Sequence, residues 1–147
     1  MPALEDALGP GVALALARTA DLLRADADVL DSLAAAEAAQ LGGTAVVQAD
    51  GWSAEALGRL PGAIRHRLLR SAALAAGCPA GALSQRHIAS LDELVMAWHG
   101  QRWADLPGGI RCLRSRYGRL LFTKPGASGA PPGPNTVARS EDLGGRE

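Results

Sequence analysis

Residues 98–122, WHGQRWADLPGGIRCLRSRYGRLLF, decide how this chain is read. They hold two of the three Trp, the only Tyr and the only Phe. With Lys124 just beyond, Arg102, Arg111, Arg114, Arg116 and Arg119 face a single acid, Asp105. Pro107-Gly108-Gly109 is a turn, because Pro fixes φ and the glycines accept φ > 0. From Ile110 to Arg116 apolar and basic residues alternate, which predicts a strand with Ile110 and Cys112 inward and Arg111 and its neighbours outward. Tyr117-Gly118 then offers a tight turn into Leu120-Leu121-Phe122. The stretch predicts a small antiparallel β-unit whose outer face carries Arg111, Arg114, Arg116 and Arg119. Two meanings stay open for that face. It is a solvated edge hairpin kept soluble by its charges, or an array that binds the phosphates of a polyanion.

The rest of the chain has a different character. At 147 residues it suffices for one domain with a modest core. Only 3% of it is aromatic, so Ala and Leu must fill the interior, which favours close-packed helices. The formal net charge is zero, but the charges are segregated. Residues 1–50 set two Arg against eight acids, whereas residues 99–124 set six bases against one acid. Such a basic end can bind RNA despite overall neutrality, because screening limits each charge's reach to roughly 8–10 Å at physiological salt. The two cysteines, Cys78 and Cys112, lack metal-ligand spacing and point to a reducing, cytoplasmic setting. No apolar run approaches the ~20 residues of a membrane span, and the start MPALEDALG does not have the form of a signal peptide.

Upstream of the β-unit the periodicity is helical. A short helical piece at 3–8 is interrupted by Gly9-Pro10-Gly11. Leu16, Ala20, Leu23, Ala27, Leu30 and Ala34 then recur at spacings of four and three, predicting one long helix from Val12 to about Gln40. Leu22, Val29 and Leu33 widen the stripe, so the helix should pack against more than one neighbour. Gly42-Gly43 ends it, Thr44 to Gln48 is β-prone, and Asp50-Gly51 is a turn. Ser53 caps a short helix. Pro61 opens the next helix, with Ile64, Leu68, Ala72 and Ala75 on one face and Arg67 and Arg70 toward the other; Gly77 and Pro79 close it. Ser84 caps a further helix to about Trp98, burying Ile88, Leu91, Leu94 and Val95. The expected fold class is α+β, mainly α: a helical domain with one long N-terminal helix and a C-terminal antiparallel β-unit, over residues 1–124. Residues 125–147, rich in Pro, Gly and Ser, are expected to be a disordered tail, since they cannot offset their ordering entropy by burial.

A search for chemistry returns absences. The chain has no Walker loop, no GxGxxG, no HExxH and no GxSxG, and no catalytic or metal-binding constellation stands out. His66 and His87 fall in helices among arginines and are expected to be solvated. His99, at the passage from the last helix into the basic unit, is structural or RNA-contacting rather than a general base. A helical interaction or dimerisation module, working through the stripe at 12–40, is the other class of function the residues allow.

LPGAIRHRLLRSAALAAG (60–77), GALSQRHIASLDELV (81–95) and WHGQRWADLPGGIRCLRSRYGRLLF (98–122) resemble the C-terminal part of tRNA(Ile)-lysidine synthase in its short actinobacterial form. GPGVALALARTADLLRADADVL (9–30) resembles the helix that follows that family's catalytic domain. The more specific pieces are LP-x3-R-x-R-x-LR at 60–70 and WHGQ…DLPGG…GRLLF at 98–122. Members of the family adenylate the wobble cytidine of an isoleucine tRNA with ATP, and lysine then displaces AMP. The resemblance implies tRNA as partner, with Arg67, Arg70, His99, Arg111, Arg114, Arg116 and Arg119 as contact candidates. Arg65 lies nearer the apolar face of its helix and is expected to be structural. The family's SGGxDS pyrophosphate loop does not occur here. The resemblance therefore implies no cofactor in this chain, ATP belonging to a catalytic domain encoded upstream or supplied as a separate chain.

Overall fold

The computed structural model describes residues 6, 7, 9–43, 50–100 and 103–124. The expectations for the start of the 3–8 helical piece, the β-prone run at 44–48, Arg102 and the tail at 125–147 lie outside the described residues. Helix α1 spans Val12–Gln40. Strand β1 (Trp52–Ser53) leads directly into α2 (Ala54–Gly58), followed by α3 (Gly62–Ala75) and α4 (Gln85–Met96). Strand β2 (Trp103–Leu106), a 3-10 turn at Pro107–Gly109, β3 (Ile110–Arg114) and β4 (Arg119–Thr123) complete the order. The fold is α+β and mainly helical, as the periodicities predict. No helix among the described residues is long and apolar enough to cross a membrane.

The β-unit forms where the alternation places it, and gains one strand. The sheet is four-stranded and antiparallel in the order β1-β4-β3-β2. Cys112 pairs with Ala104 on one side and Phe122 on the other, and Arg111 pairs with Asp105 and Thr123. Trp52 pairs with Leu120, so the short segment before the helices becomes the far edge of the sheet. Gly51 makes this possible. Its φ is 70°, and a Cβ there would stand 2.3 Å from the Leu120 carbonyl oxygen. The 3-10 turn has the same requirement at Gly108, where φ is 79° and a Cβ would press on the Pro79 ring at 2.9 Å.

One core lies between the inner sheet face and the helices. Trp52, Leu106, Ile110, Cys112, Leu120 and Phe122 from the sheet meet Leu57 of α2, Leu68 and Leu69 of α3, and Ile88, Leu91 and Leu94 of α4. Ser53 caps α2 as expected, its hydroxyl accepting from the Ala56 N–H at 3.2 Å. His87 proves to be more than a solvated side chain: its Nδ1 accepts the Ser84 N–H at 3.1 Å and closes the start of α4. Helix α4 ends at Met96, short of Trp98.

Two expectations need correction. Helix α3 buries two adjacent rows, Ile64/Leu68/Ala72 and Arg65/Leu69/Ala73, while Ala75 is exposed. It is sandwiched between α1 and α4, and so needs a wider buried face than a surface helix. Helix α1, by contrast, packs mainly along α3, and only Ala34 of it is buried. Leu30, Ala38 and Leu41 lean on the core, whereas Leu14, Leu16, Leu22, Leu23, Val29 and Leu33 are all more than half exposed. Trp52 moors the C-terminal end of α1 to the sheet, its Nε1 donating to the Gly43 carbonyl at 3.2 Å.

Candidate nucleic-acid interface

The basic residues of the β-unit are divided by strand geometry. Alternation puts Arg111 on the outer sheet face beside Trp103, and its guanidinium lies 4.7 Å from that ring's centroid. Its Nε donates to Asp105 Oδ1 at 2.8 Å, in a pair largely open to solvent. Arg114 shares the parity of Ile110 and Cys112 and therefore turns to the helix side of the sheet. This corrects the picture of an outer face carrying every Arg of the unit. Its Nη1 donates to the Leu94 and Val95 carbonyls at 2.6 and 3.0 Å, capping α4, and its guanidinium lies 5.0 Å from the Trp98 ring centroid. Arg116, in the turn between β3 and β4, is exposed; its Nη2 donates to Tyr117 Oη at 2.7 Å and its guanidinium covers that ring at 4.8 Å. Arg119 reaches across to β1, donating from Nε to the Asp50 carbonyl at 2.9 Å and from Nη2 to the Gly51 carbonyl at 2.7 Å.

Arg114 and Arg119 therefore join backbone segments, while Arg111 and Arg116 lie on side chains at the surface. His99 is exposed in the segment that links α4 to β2. The rings that accompany the arginines stand out in the sequence, but no role was assigned to them there. The signal was present in the way aromatic and basic residues interleave over 98–119.

A second basic group lies on the helices. Arg67 pairs through Nε with Asp31 of α1 at 2.6 Å and donates through Nη1 to the Ala63 carbonyl at 3.1 Å. Arg70 donates to the Leu83 carbonyl at 3.0 Å. With His66 and Asp31 they line an open cleft of about 430 Å³. Arg65 has the structural role expected of it. It is buried, donates to both carboxylate oxygens of Asp92 at 2.5 and 3.3 Å and to the Leu60 carbonyl at 2.8 Å, and so ties α3 to α4. His66 Nε2 stands 3.4 Å from Asp92 Oδ2. Burial raises the Asp92 pKa, but hydrogen bonds and charge from Arg65 and His66 outweigh it and hold the carboxyl below the ordinary aspartate range.

The thiols are enclosed. Burial, and then the neighbouring Cys78, push the Cys112 thiol far above its usual range, and burial raises Cys78 as well. Both are core residues held as thiols, unsuited to nucleophilic work at neutral pH. Among the described residues no group of three or more His, Cys, Asp or Glu could hold a metal. What the surface does offer is guanidinium groups, planar rings and few acids, a set suited to phosphate and base contacts.

The family model described as "TilS substrate binding domain" matches residues 53–121. A tRNA(Ile)-lysidine synthase of Thermobifida fusca is 54% identical over 112 residues, 76% of this chain and 33% of the relative. That of Streptomyces coelicolor is 49% identical over 123 residues, 83% of this chain and 33% of the relative. That of Mycobacterium tuberculosis is 45% identical over 121 residues, 81% of this chain and 36% of the relative. The chain thus spans about a third of the length of the curated relatives it matches. No solved structure matches it significantly. Residues 53–121 thus match the TilS substrate binding domain, and the chain is similar to the C-terminal part of the tRNA(Ile)-lysidine synthases.

Proposed function

We propose that the chain binds tRNA and positions it for lysidine synthesis, the ATP-dependent chemistry being carried by a catalytic domain outside these residues. The observation that carries this reading is the coincidence of the family match with the basic end of the molecule. Residues 53–121 cover the sheet apart from Trp52, Phe122 and Thr123, and include Arg111 and Arg116 on its surface. These two are the phosphate contacts of the proposal. Arg114 shapes the surface from behind, Arg119 holds its β1 edge, His99 borders it, and Arg67 and Arg70 supply a second patch across the helices. Within this reading the chain holds no cofactor of its own, and its setting is the cytoplasm, where tRNA is modified.

Replacing Arg111 and Arg116 together by Ala should weaken tRNA binding about tenfold or more, since each charge-assisted contact contributes on the order of 1 kcal/mol. The slope of log affinity against log salt should flatten by about one to two units. Filter binding across a salt series, with circular dichroism as folding control, measures both. A folded double variant with unchanged affinity and slope would remove this surface from the interface and leave the Arg67–Arg70 patch as the candidate.

A second reading, association between copies of the chain through α1, is favoured by one observation: Leu22, Leu23 and Val29 are 69%, 62% and 60% exposed along that helix. Such association would be nearly insensitive to salt, so the same salt series run on an analytical ultracentrifuge separates the two.

A further inference from the structure

The aromatic residues of this chain are sorted between two environments. Trp52 and Phe122 are in the core, whereas Trp98, Trp103 and Tyr117 are 42%, 45% and 76% exposed. Each exposed ring carries an arginine, with guanidinium carbons 5.0, 4.7 and 4.8 Å from the ring centroids. The topology brings the three to one end of the sheet. Trp103 opens β2 and pairs with Leu113, the neighbour of Arg114 at the end of β3. Tyr117 lies in the turn that follows β3, which the Ser115 N–H closes on the Arg119 carbonyl at 2.8 Å. Trp98 comes two residues after α4, whose last carbonyls hold Arg114. Large rings left in water forgo hydrophobic burial, and among the described residues the acid paired within this group is Asp105.

We propose that this end of the sheet is a stacking site for unpaired nucleotides of the bound RNA, with Trp103 and Tyr117 as the stacking rings and Arg111 and Arg116 bridging each ring to the adjoining phosphate. A flat ring partly covered by a guanidinium offers a base a π-face and offers its phosphate a cation side by side. Paired bases inside a duplex cannot reach such a ring, so the ligand class is single-stranded RNA. Phosphate binding alone explains the arginines. It does not explain why rings accompany them at the surface. The proposal rests on the tRNA-binding reading and adds to it a preference for unpaired segments.

The test compares four RNAs: intact tRNA, tRNA trimmed of its single-stranded 3′ terminus, an isolated anticodon stem-loop, and a blunt RNA duplex. Binding to the full chain is measured for the wild type, Trp103→Ala, Tyr117→Ala, the double variant, and Trp103→Phe with Tyr117→Phe. The double Ala variant should lose about tenfold or more on intact tRNA and less than twofold on the blunt duplex. The Phe pair should keep most of the affinity. The salt slope should stay unchanged in the aromatic variants, because stacking releases no counterions. Loss of the Ala penalty on the trimmed tRNA identifies the 3′ terminus as the source of the unpaired bases, whereas a penalty kept by the stem-loop identifies the anticodon loop. Equal losses on tRNA and duplex, or no loss on tRNA in folded variants, would overturn the stacking site while leaving phosphate binding intact. Failure of the wild type to bind tRNA at all would remove both readings. Loss of self-association with RNA affinity unchanged would assign the rings to a protein interface and also overturn the proposal. If Trp103→Ala fails to fold, Tyr117→Ala decides alone, since that ring is the most exposed of the three.

Discussion

Asp92 receives both Arg65 and His66 and is the charged joint between α3 and α4. Its depressed pKa has a consequence of definite sign. A carboxylate held below its unfolded pKa contributes full stability above the ordinary aspartate range, and that contribution is lost as pH falls through the folded value. Asp92→Asn should therefore cost about 1–3 kcal/mol at neutral pH. The difference from wild type should shrink as the solution becomes acidic enough to protonate Asp92 itself. Urea denaturation at neutral and at acid pH measures this. A deficit that persists undiminished in acid would mean that the amide disturbs packing rather than charge. Little of this joint was legible in the sequence. Arg65 was recognisable as structural from its place beside the apolar face of α3, but its partner lies 27 positions away and no local pattern announces it.

The elements were legible where the chain signals them locally. The β-unit follows from period-two alternation and turn residues, and α2 and α4 follow from their Ser caps. Strand β1 was not legible, because two residues carry no period; it exists because Gly51 lets the backbone approach β4. Arg114 was misplaced outward although its parity with Ile110 and Cys112 argued inward. The expectation that a charge points to solvent outweighed the alternation; the carbonyls at the end of α4 accept from Nη1 of this half-buried side chain, while its Nε has no hydrogen-bond partner among the described residues. For α1 the pattern gave an apolar stripe without telling what covers it, and the folded chain covers only its C-terminal end. Two substitutions expose the difference. Leu22→Gln, on the uncovered part, should change stability by no more than about 0.5 kcal/mol. Ala34→Asp, on the buried contact with α3, should cost at least 2 kcal/mol because it buries an unpaired carboxylate. Denaturant titration of the two variants is sufficient. A large loss from Leu22→Gln would show that the uncovered face is occupied in solution.

At the scale of the whole molecule the zero net charge conceals a separation, with acids concentrated on α1 and bases on the sheet and the segment before it. A polyanion approaching the sheet is attracted by Arg111 and Arg116 and repelled by the distant acids, and screening decides how much of that repulsion survives. Asp31 is committed to Arg67, but Asp26 and Asp28 stand on the exposed part of α1. Replacing both by Asn removes negative charge without touching the sheet. At ~10 mM salt the screening length is about 30 Å, and tRNA affinity should rise by about two- to threefold. At ~150 mM salt it is about 8 Å, and the gain should disappear. Because the association rate carries most of a long-range effect, stopped-flow association should show the low-salt gain while dissociation stays unchanged. A gain that survives physiological salt, or that resides in dissociation, would mean that the RNA lies along α1, and the proposed interface would have to extend from the sheet onto that helix.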